Sequence, residues 1–289
     1  MKYTIAQFNK DYPTDDACLA EVFANRYGKL TICPGCGVND TKFYRVKKRK
    51  CYACMHCGHQ LHPLAGTIFH KSETPLKSWF FAIYLFSNSK NGVSAKELER
   101  HLGVTYKTAW RIAKQIRLLM ADDDSARLSG TVEVDETYIG GVRRGKTGMG
   151  AAREKGGVMG MVERKGRVKT RIIKSQTSQE LLPHIQDTIE VGATVMTDQL
   201  KVYTTVAYMG YKHWSVNHSK MFGYGTVHTN TIEGFWGQLK RSLEGTYHSV
   251  SKKYLQNYVD EFAYRYNHRG ATIYPLLVEA AAKPVQQGR

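Results

Sequence analysis

Two sets of side chains in this sequence have types and spacings that could do chemistry. The first is Cys33-Pro-Gly-Cys36 and Cys54-Met-His-Cys57, two CxxC knuckles each followed by a glycine, Gly37 and Gly58. Two such turns can offer four thiolates to one tetrahedral ion, with backbone N–H groups softening the sulfur charge. A site closed by four thiolates leaves no open coordination position, so a structural zinc is expected at Cys33, Cys36, Cys54 and Cys57. Cys51 makes an overlapping CxxC with Cys54, and His56, His59 and His62 are spare ligands nearby. The glycine after Cys57 selects Cys54 and Cys57, leaving Cys18 and Cys51 as ordinary thiols.

The second set is acidic. In Thr131–Gly141, TVEVDETYIGG, Val132 and Val134 alternate with Glu133 and Asp135, which reads as a two-faced strand running into a Gly-Gly turn. Asp198 repeats that design at the end of the apolar run Ala193-Thr-Val-Met-Thr197. Glu233 lies in a helical segment where Ile232, Phe235, Trp236, Leu239 and Leu243 can face a core. Lys240 follows Glu233 by two helical turns and shares its face. Two acids on neighbouring strands and one on a covering helix can hold two Mg²⁺ or Mn²⁺ ions, which activate a nucleophilic oxygen and stabilise the leaving oxygen of a phosphodiester. Glu133 is on the Asp135 face of the strand and could assist, but Asp135 alone is expected to be indispensable.

The elements that must position these groups fall into blocks. Residues 1–30 form a helical segment, with Thr14 as a cap before Leu19, Val22 and Phe23. A zinc ribbon over 31–70 carries the basic run Lys47, Lys48, Arg49 and Lys50 on a predicted hairpin, suited to phosphate contact. Over 71–125, an apolar helix from Leu76 to Ser87 precedes a helix, turn, helix pattern. Ser94 caps its first helix, Gly103 makes the turn and Thr105 caps the second. That second helix would expose Tyr106, Lys107, Arg111 and Lys114 to a DNA major groove. Residues 126–270 read as α/β: strands at Val158–Glu163 and Arg167–Lys174, a capping box at Thr177 and Glu180, a helix near Val202–Met209, a strand at His213–Val216 and long closing helices. A terminal helix and tail occupy 271–289. The fold class is therefore multidomain α+β.

The chain has 42 Lys and Arg against 25 Asp and Glu, a formal charge of +17, which points to a polyanionic partner, nucleic acid first and an anionic membrane surface second, and the helix-turn-helix pattern points to double-stranded DNA. No apolar run approaches membrane-spanning length, and MKYTIAQFNKDYPTDD lacks the apolar core of a signal peptide, so a cytoplasmic protein with reduced thiols is expected. One motif competes. Gly140-Gly-Val-Arg-Arg-Gly-Lys146-Thr147 matches the Walker A pattern formally, but Gly148, Gly150, Gly156 and Gly157 interrupt the helix that should follow. A basic loop near DNA, with Arg143, Arg144 and Lys146 on phosphates, is the preferred reading.

The order CPGCG, CxxCG, GTIF (Gly66 to Phe69), helix-turn-helix, VEVDETYIGG, VMTD, HTNTIEGFWGQLKR and YHSVSKKYL…EFAYRYNHR resembles bacterial insertion-sequence transposases with an N-terminal zinc ribbon, the ISXO2-like group related to Merlin elements. The resemblance covers nearly the whole chain. It implies a ribonuclease-H-like, retroviral-integrase-like catalytic domain with Asp135, Asp198 and Glu233 as its acidic triad. Some members carry asparagine at the third position, which makes Asn230 a candidate beside Glu233; the carboxylate is the stronger Mg²⁺ ligand. The implied reaction is Mg²⁺-dependent cleavage and strand transfer at terminal inverted repeats. Lys240, Arg241, Lys252 and Lys253 would contact DNA, Trp236 or Tyr247 could stack on a flipped or frayed base, with core packing the favoured role for Trp236, and pairing of two ends would require a dimer or larger assembly. The alternatives are a catalytically inactive DNA-binding regulator and a P-loop ATPase acting on nucleic acid.

Overall fold

The computed structural model describes residues 3–121, 126–140, 156–216 and 226–285. The chain divides into two compact units, one of Met1–Leu119 with Gly270–Arg289 and the other of Met120–Arg269. Among the described residues, no helix is long and apolar enough to cross a membrane.

In the first unit, helix α1 (Ile5–Asp11) starts at a reciprocal cap. The Gln7 N–H donates to Thr4 Oγ1 and the Thr4 N–H donates to Gln7 Oε1. Helix α2 (Asp15–Tyr27) starts on Thr14, whose hydroxyl oxygen accepts from the Ala17 N–H at 3.3 Å. Strands β1 (Phe43–Arg45), β2 (Tyr52–Cys54) and β3 (Gln60–Leu61) form an antiparallel ribbon. Helix α3 (Leu76–Asn88) follows Pro75, which has no capping side chain. Asp15 supplies the cap from a distance, its carboxylate accepting from the Leu76 and Lys77 N–H groups at 3.0 and 2.8 Å. The aromatic stripe Trp79, Phe80 and Phe86 is fully buried. Helix α4 (Ala95–Leu102) is capped by Ser94 and ends at Gly103 in the left-handed region, φ 63°, and α5 (Tyr106–Leu119) follows. The terminal helix Ile273–Ala282 belongs to this unit and packs on α2, α3 and α5, with Tyr274 stacked on Tyr3 at 4.3 Å between centroids. Leu277 and Val278 are buried there, each such side chain contributing roughly 1.5–3 kcal/mol.

The second unit is a five-stranded sheet of order β6-β5-β4-β7-β8. Its strands are β4 (Thr131–Ile139), β5 (Gly156–Glu163), β6 (Val168–Ile173), β7 (Thr194–Thr197) and β8 (Lys212–Ser215). The pairs β4–β5 and β5–β6 are antiparallel, whereas β4–β7 and β7–β8 are parallel. Helix α6 (Ser178–Thr188) crosses from β6 to β7, and after β8 come α7 (Asn230–Ser242), a π-turn at Leu243–Tyr247 and α8 (Leu255–Asn267). The two faces have separate cores. Val132, Val134, Met159, Met161 and Val195 pack with Leu181 and Ile185, whereas Val158, Val162 and Val168 pack with Ile232, Trp236, Leu239 and Phe262. Burial on both faces explains why β5 reads as an apolar run instead of an alternation.

The helix expected near Val202–Met209 forms over Lys201–Met209, wound as a 3₁₀ helix, and one local expectation fails. Thr177 makes no side-chain cap to α6: its hydroxyl pairs with Ser175, and Glu180 accepts from the Lys174 N–H instead. A competing donor immediately upstream displaced the capping box.

Candidate active site and zinc centre

The two knuckles meet as their spacing requires. The Sγ atoms of Cys33, Cys36, Cys54 and Cys57 all lie within 4.8 Å of one another, and Cys33 and Cys57 are 3.7 Å apart. A tetrahedron with Zn–S bonds of about 2.3 Å has S···S edges of about 3.8 Å, so these donors fit zinc. Gly37 and Gly58 each take φ 73°, the left-handed conformation that closes each knuckle. The N–H groups of Gly35, His56 and His59 donate to Cys33, Cys54 and Cys57. Cys54 is also drawn down to about 5, first by the Thr41 hydroxyl. Cys51 is buried outside the cluster against Gln60, and burial pushes the Cys18 thiol up to about 12. Lys47, Lys48, Arg49 and Lys50 are exposed on the turn between β1 and β2. Arg45 braces that turn, donating to the carbonyls of Val46 and Arg49 and pairing with Asp16.

On α5, Tyr106, Lys107 and Arg111 are exposed and Lys114 is half-buried over Trp110, while Ala109, Ile112, Ala113 and Ile116 face the core. Arg143, Arg144 and Lys146, with the Walker-like segment after Gly140, lie outside the described residues. Lys240, Arg241, Lys252 and Lys253 are exposed in the second unit, and Lys240 lines a cavity of about 330 Å³ with Glu244 and His248.

The acids come together through strand register. The parallel pairing of β4 with β7 sets Glu133 opposite Met196, so Asp198, just past the end of β7, stands level with Asp135, which lies in the middle of β4 and not at its end as the sequence suggested. Asp198 is anchored by the Leu200 N–H at 3.0 Å. Glu233, exposed on the first turn of α7, accepts from the Thr229 hydroxyl at 2.9 Å, and Asn230 is exposed beside it. Asp135 Oδ2 accepts from the Trp236 indole at 3.0 Å. Burial, then the Asp198 charge and also Glu233, push the Asp135 carboxyl up to about 6, against the pull of the Glu136 N–H and Trp236. Glu136, on the other face, rises to about 8 through burial and the charges of Asp135 and Asp198. Gln176 donates to it, but its Oε1 is buried with no hydrogen-bond partner. The three acids are more widely spaced than the thiols: among the described residues only the four cysteines gather three or more ligand atoms within 4.8 Å.

Two roles differ from expectation, those of Glu133 and Tyr247, while Trp236 takes the core position favoured for it. Glu133 is wholly buried and its oxygens are occupied, accepting from Arg164, the Thr231 hydroxyl and the N–H groups of Thr231 and Ile232. Trp236 is 4% exposed, its face in the core, so it is not open for base stacking. Tyr247 donates to Glu261 at 3.0 Å and packs edge-on against Tyr258. The indole bond to Asp135 and the Arg164 contact have no signal in spacing, because both bridge segments far apart in sequence.

Comparison with known proteins agrees with this layout. Residues 127–267 match the ISXO2-like transposase domain, and residues 13–60 match the transposase zinc-ribbon domain. A protein of the transposable element ISH50 of Halobacterium salinarum, itself described as uncharacterized, is 27% identical over 263 residues, covering 83% of this chain and 86% of the relative.

Proposed function

The chain joins an ISXO2-like transposase domain to a transposase zinc ribbon, and from that premise we propose that it cuts and joins DNA at the ends of an insertion sequence, with divalent ions held by Asp135, Asp198 and Glu233. The observation that carries this reading is the convergence of the acids on one sheet face: burial first, then the Asp198 charge and last Glu233, push the Asp135 carboxyl up to about 6, and a bound cation would relieve both the burial cost and the repulsion. The donor set, three carboxylates with Asn230 adjacent, also fits Mg²⁺ or Mn²⁺. When bound, two such ions supply activation of the attacking oxygen and stabilisation of the leaving oxygen.

The chain's own residues do the positioning. Trp236 fixes the Asp135 carboxylate, the Leu200 N–H fixes Asp198, and Thr229 orients Glu233. Its negative charge makes Glu233 the stronger candidate for the third ligand, with Asn230 assisting. Lys240, two turns below Glu233 on α7, would meet a phosphate next to the scissile bond, with Arg241 assisting. Three antiparallel strands continued by two parallel ones, with acids level on the adjoining strands β4 and β7, support a ribonuclease-H-like domain. The α4–α5 pair supports a helix-turn-helix reading, with Tyr106, Lys107 and Arg111 entering the major groove of the terminal repeats. The exposed hairpin lysines would add phosphate contacts from the ribbon.

Incubation of the protein with labelled element ends tests this. The wild type should nick and join them with Mg²⁺, and Asp198→Ala should do neither. Cleavage that needs ATP and is lost on Lys146→Ala would support the ATPase reading; end binding by a wild type that never cuts would support the regulator.

A further inference from the structure

The carboxylate of Glu133 sits on β4 two residues before Asp135, on the same face of the strand, and is 0% exposed. A buried charge of this kind is tolerated only where donors converge on it. Here four do. Oε2 accepts from the backbone N–H groups of Thr231 and Ile232 at 2.7 and 3.1 Å, and Oε1 accepts from the Thr231 hydroxyl at 2.9 Å and Arg164 Nε at 2.7 Å. His228 Nδ1 stands 3.3 Å away.

The two backbone donors are orphan N–H groups of the first turn of α7, the positive end of that helix. The hydroxyl of Thr229, the residue before the helix, donates to Glu233, and Thr229 makes no side-chain cap to the helix. Glu133 therefore caps α7 from another element. Arg164, just past β5, holds the approach to the helix as well, donating to the carbonyls of Thr226 and His228 at 2.7 and 2.8 Å. One strand thus carries Asp135 and, two residues earlier, the group that pins the start of the helix carrying Glu233.

We propose that Glu133, with Arg164, is the positioning residue that fixes Glu233 relative to Asp135 and so sets the affinity of the site for its divalent ion. This rests on the reading of Asp135, Asp198 and Glu233 as ion ligands. Glu133 itself binds no ion: its lone pairs are engaged, and its effect passes through the placement of α7. A carboxylate ligand displaced by a fraction of an ångström coordinates poorly because Mg²⁺ demands near-ideal octahedral geometry. Mn²⁺ should be bound more tightly by the same donors.

The test uses the full chain with Glu133→Gln, which keeps the shape but removes the charge and places an amide before Arg164, and Thr231→Val, which removes only one hydroxyl. Mn²⁺ binding is followed by electron paramagnetic resonance without DNA, alongside helicity and the Mg²⁺ dependence of end cleavage. The expected result for Glu133→Gln is native helicity with Mn²⁺ affinity and the Mg²⁺ midpoint both weakened by about tenfold or more, the range of outer-shell substitutions at metal sites. Thr231→Val should shift both in the same direction by a smaller factor, and it carries the test if Glu133→Gln does not fold. Unchanged Mn²⁺ affinity in the folded variants overturns the positioning role while leaving the acids as ligands. Failure of Asp135→Ala to alter Mn²⁺ binding would instead overturn the underlying site.

Discussion

Trp236 Nε1 donates to Asp135 Oδ2 at 3.0 Å across the face of the sheet, and Gly160 makes the approach possible. Gly160 is the register partner of Asp135 on β5, and a Cβ there would stand 2.5 Å from the indole ring. The hydrogen bond stabilises the ionised form of Asp135, so Trp236→Phe should raise its pKa above about 6. Hydrogen bonds to charged groups contribute about 1.5–3 kcal/mol, so cleavage should fall roughly tenfold or more, and the pH at which Mn²⁺ binding is half lost should move upward. Titration of Mn²⁺ binding against pH for both proteins checks this. Gly160→Ala, which forces the ring away, should reproduce the shift.

The acid cluster also makes stability depend on pH with a definite sign. Asp135 rises from 3.8 to about 6 and Glu136 from 4.5 to about 8 on folding, so the folded state holds protons that the unfolded chain releases. Their contribution is full below pH 3.8 and is lost as pH rises through 8. Without divalent ions, melting of the second unit should therefore decline across that interval, and Glu136→Gln should flatten the decline near its upper end. Added Mg²⁺ should raise the melting temperature more above about pH 6 than below it, where Asp135 is protonated. Thermal melts in buffers spanning this range, with and without Mg²⁺, provide the readout.

Zinc should account for the order of the ribbon and leave the second unit intact. Structural zinc binding is worth about 10–16 kcal/mol in small zinc domains, which are unfolded without it. Cys36→Ser should lose one equivalent of zinc by elemental analysis and lose amide-exchange protection across β1–β3. Protection of β4 and β5, in the other compact unit, should persist. Full zinc content in Cys36→Ser would remove Cys36 from the ligand set.

Exposed cations on α5 and the ribbon hairpin should show their role in the salt dependence of binding. Each lost phosphate contact lowers the slope of log K against log salt by about 0.9. Lys107→Ala and Lys48→Ala should reduce the slope by that much on any sequence. If Arg111 reads a base edge, Arg111→Ala should cost about 1–3 kcal/mol on the terminal repeat and little on unrelated DNA. Titrations at several salt concentrations, on both sequences, measure these effects.

Much of this molecule was legible in its sequence, and the exceptions have a common cause. The cysteine spacing picked out the four thiols that the fold gathers because a CxxC turn is local, and Thr14 and Ser94 mark helix starts for the same reason. The zinc-ribbon and transposase assignments were likewise carried by contiguous motifs. What escaped notice depends on long-range pairing. Glu133 caps a helix nearly a hundred residues away, Asp15 caps α3 in place of the silent Pro75, and the terminal helix Ile273–Ala282 returns to the first unit. Alternation put Glu133 on the correct face of β4 but could not show that donors fill that face before an ion would. Thr177 errs the other way: the local pattern was present, and Lys174 took its glutamate.

The most direct test of the central claim, that Asp135 ligates a catalytic divalent ion, is a change of metal preference in Asp135→Cys. Thiolate is a poor ligand for Mg²⁺ and a better one for Mn²⁺. End cleavage by Asp135→Cys should be abolished in Mg²⁺ and restored in Mn²⁺, while Asp135→Ala should stay inactive in both. Equal activity of Asp135→Cys in the two metals, or cleavage by Asp135→Ala, would contradict the account.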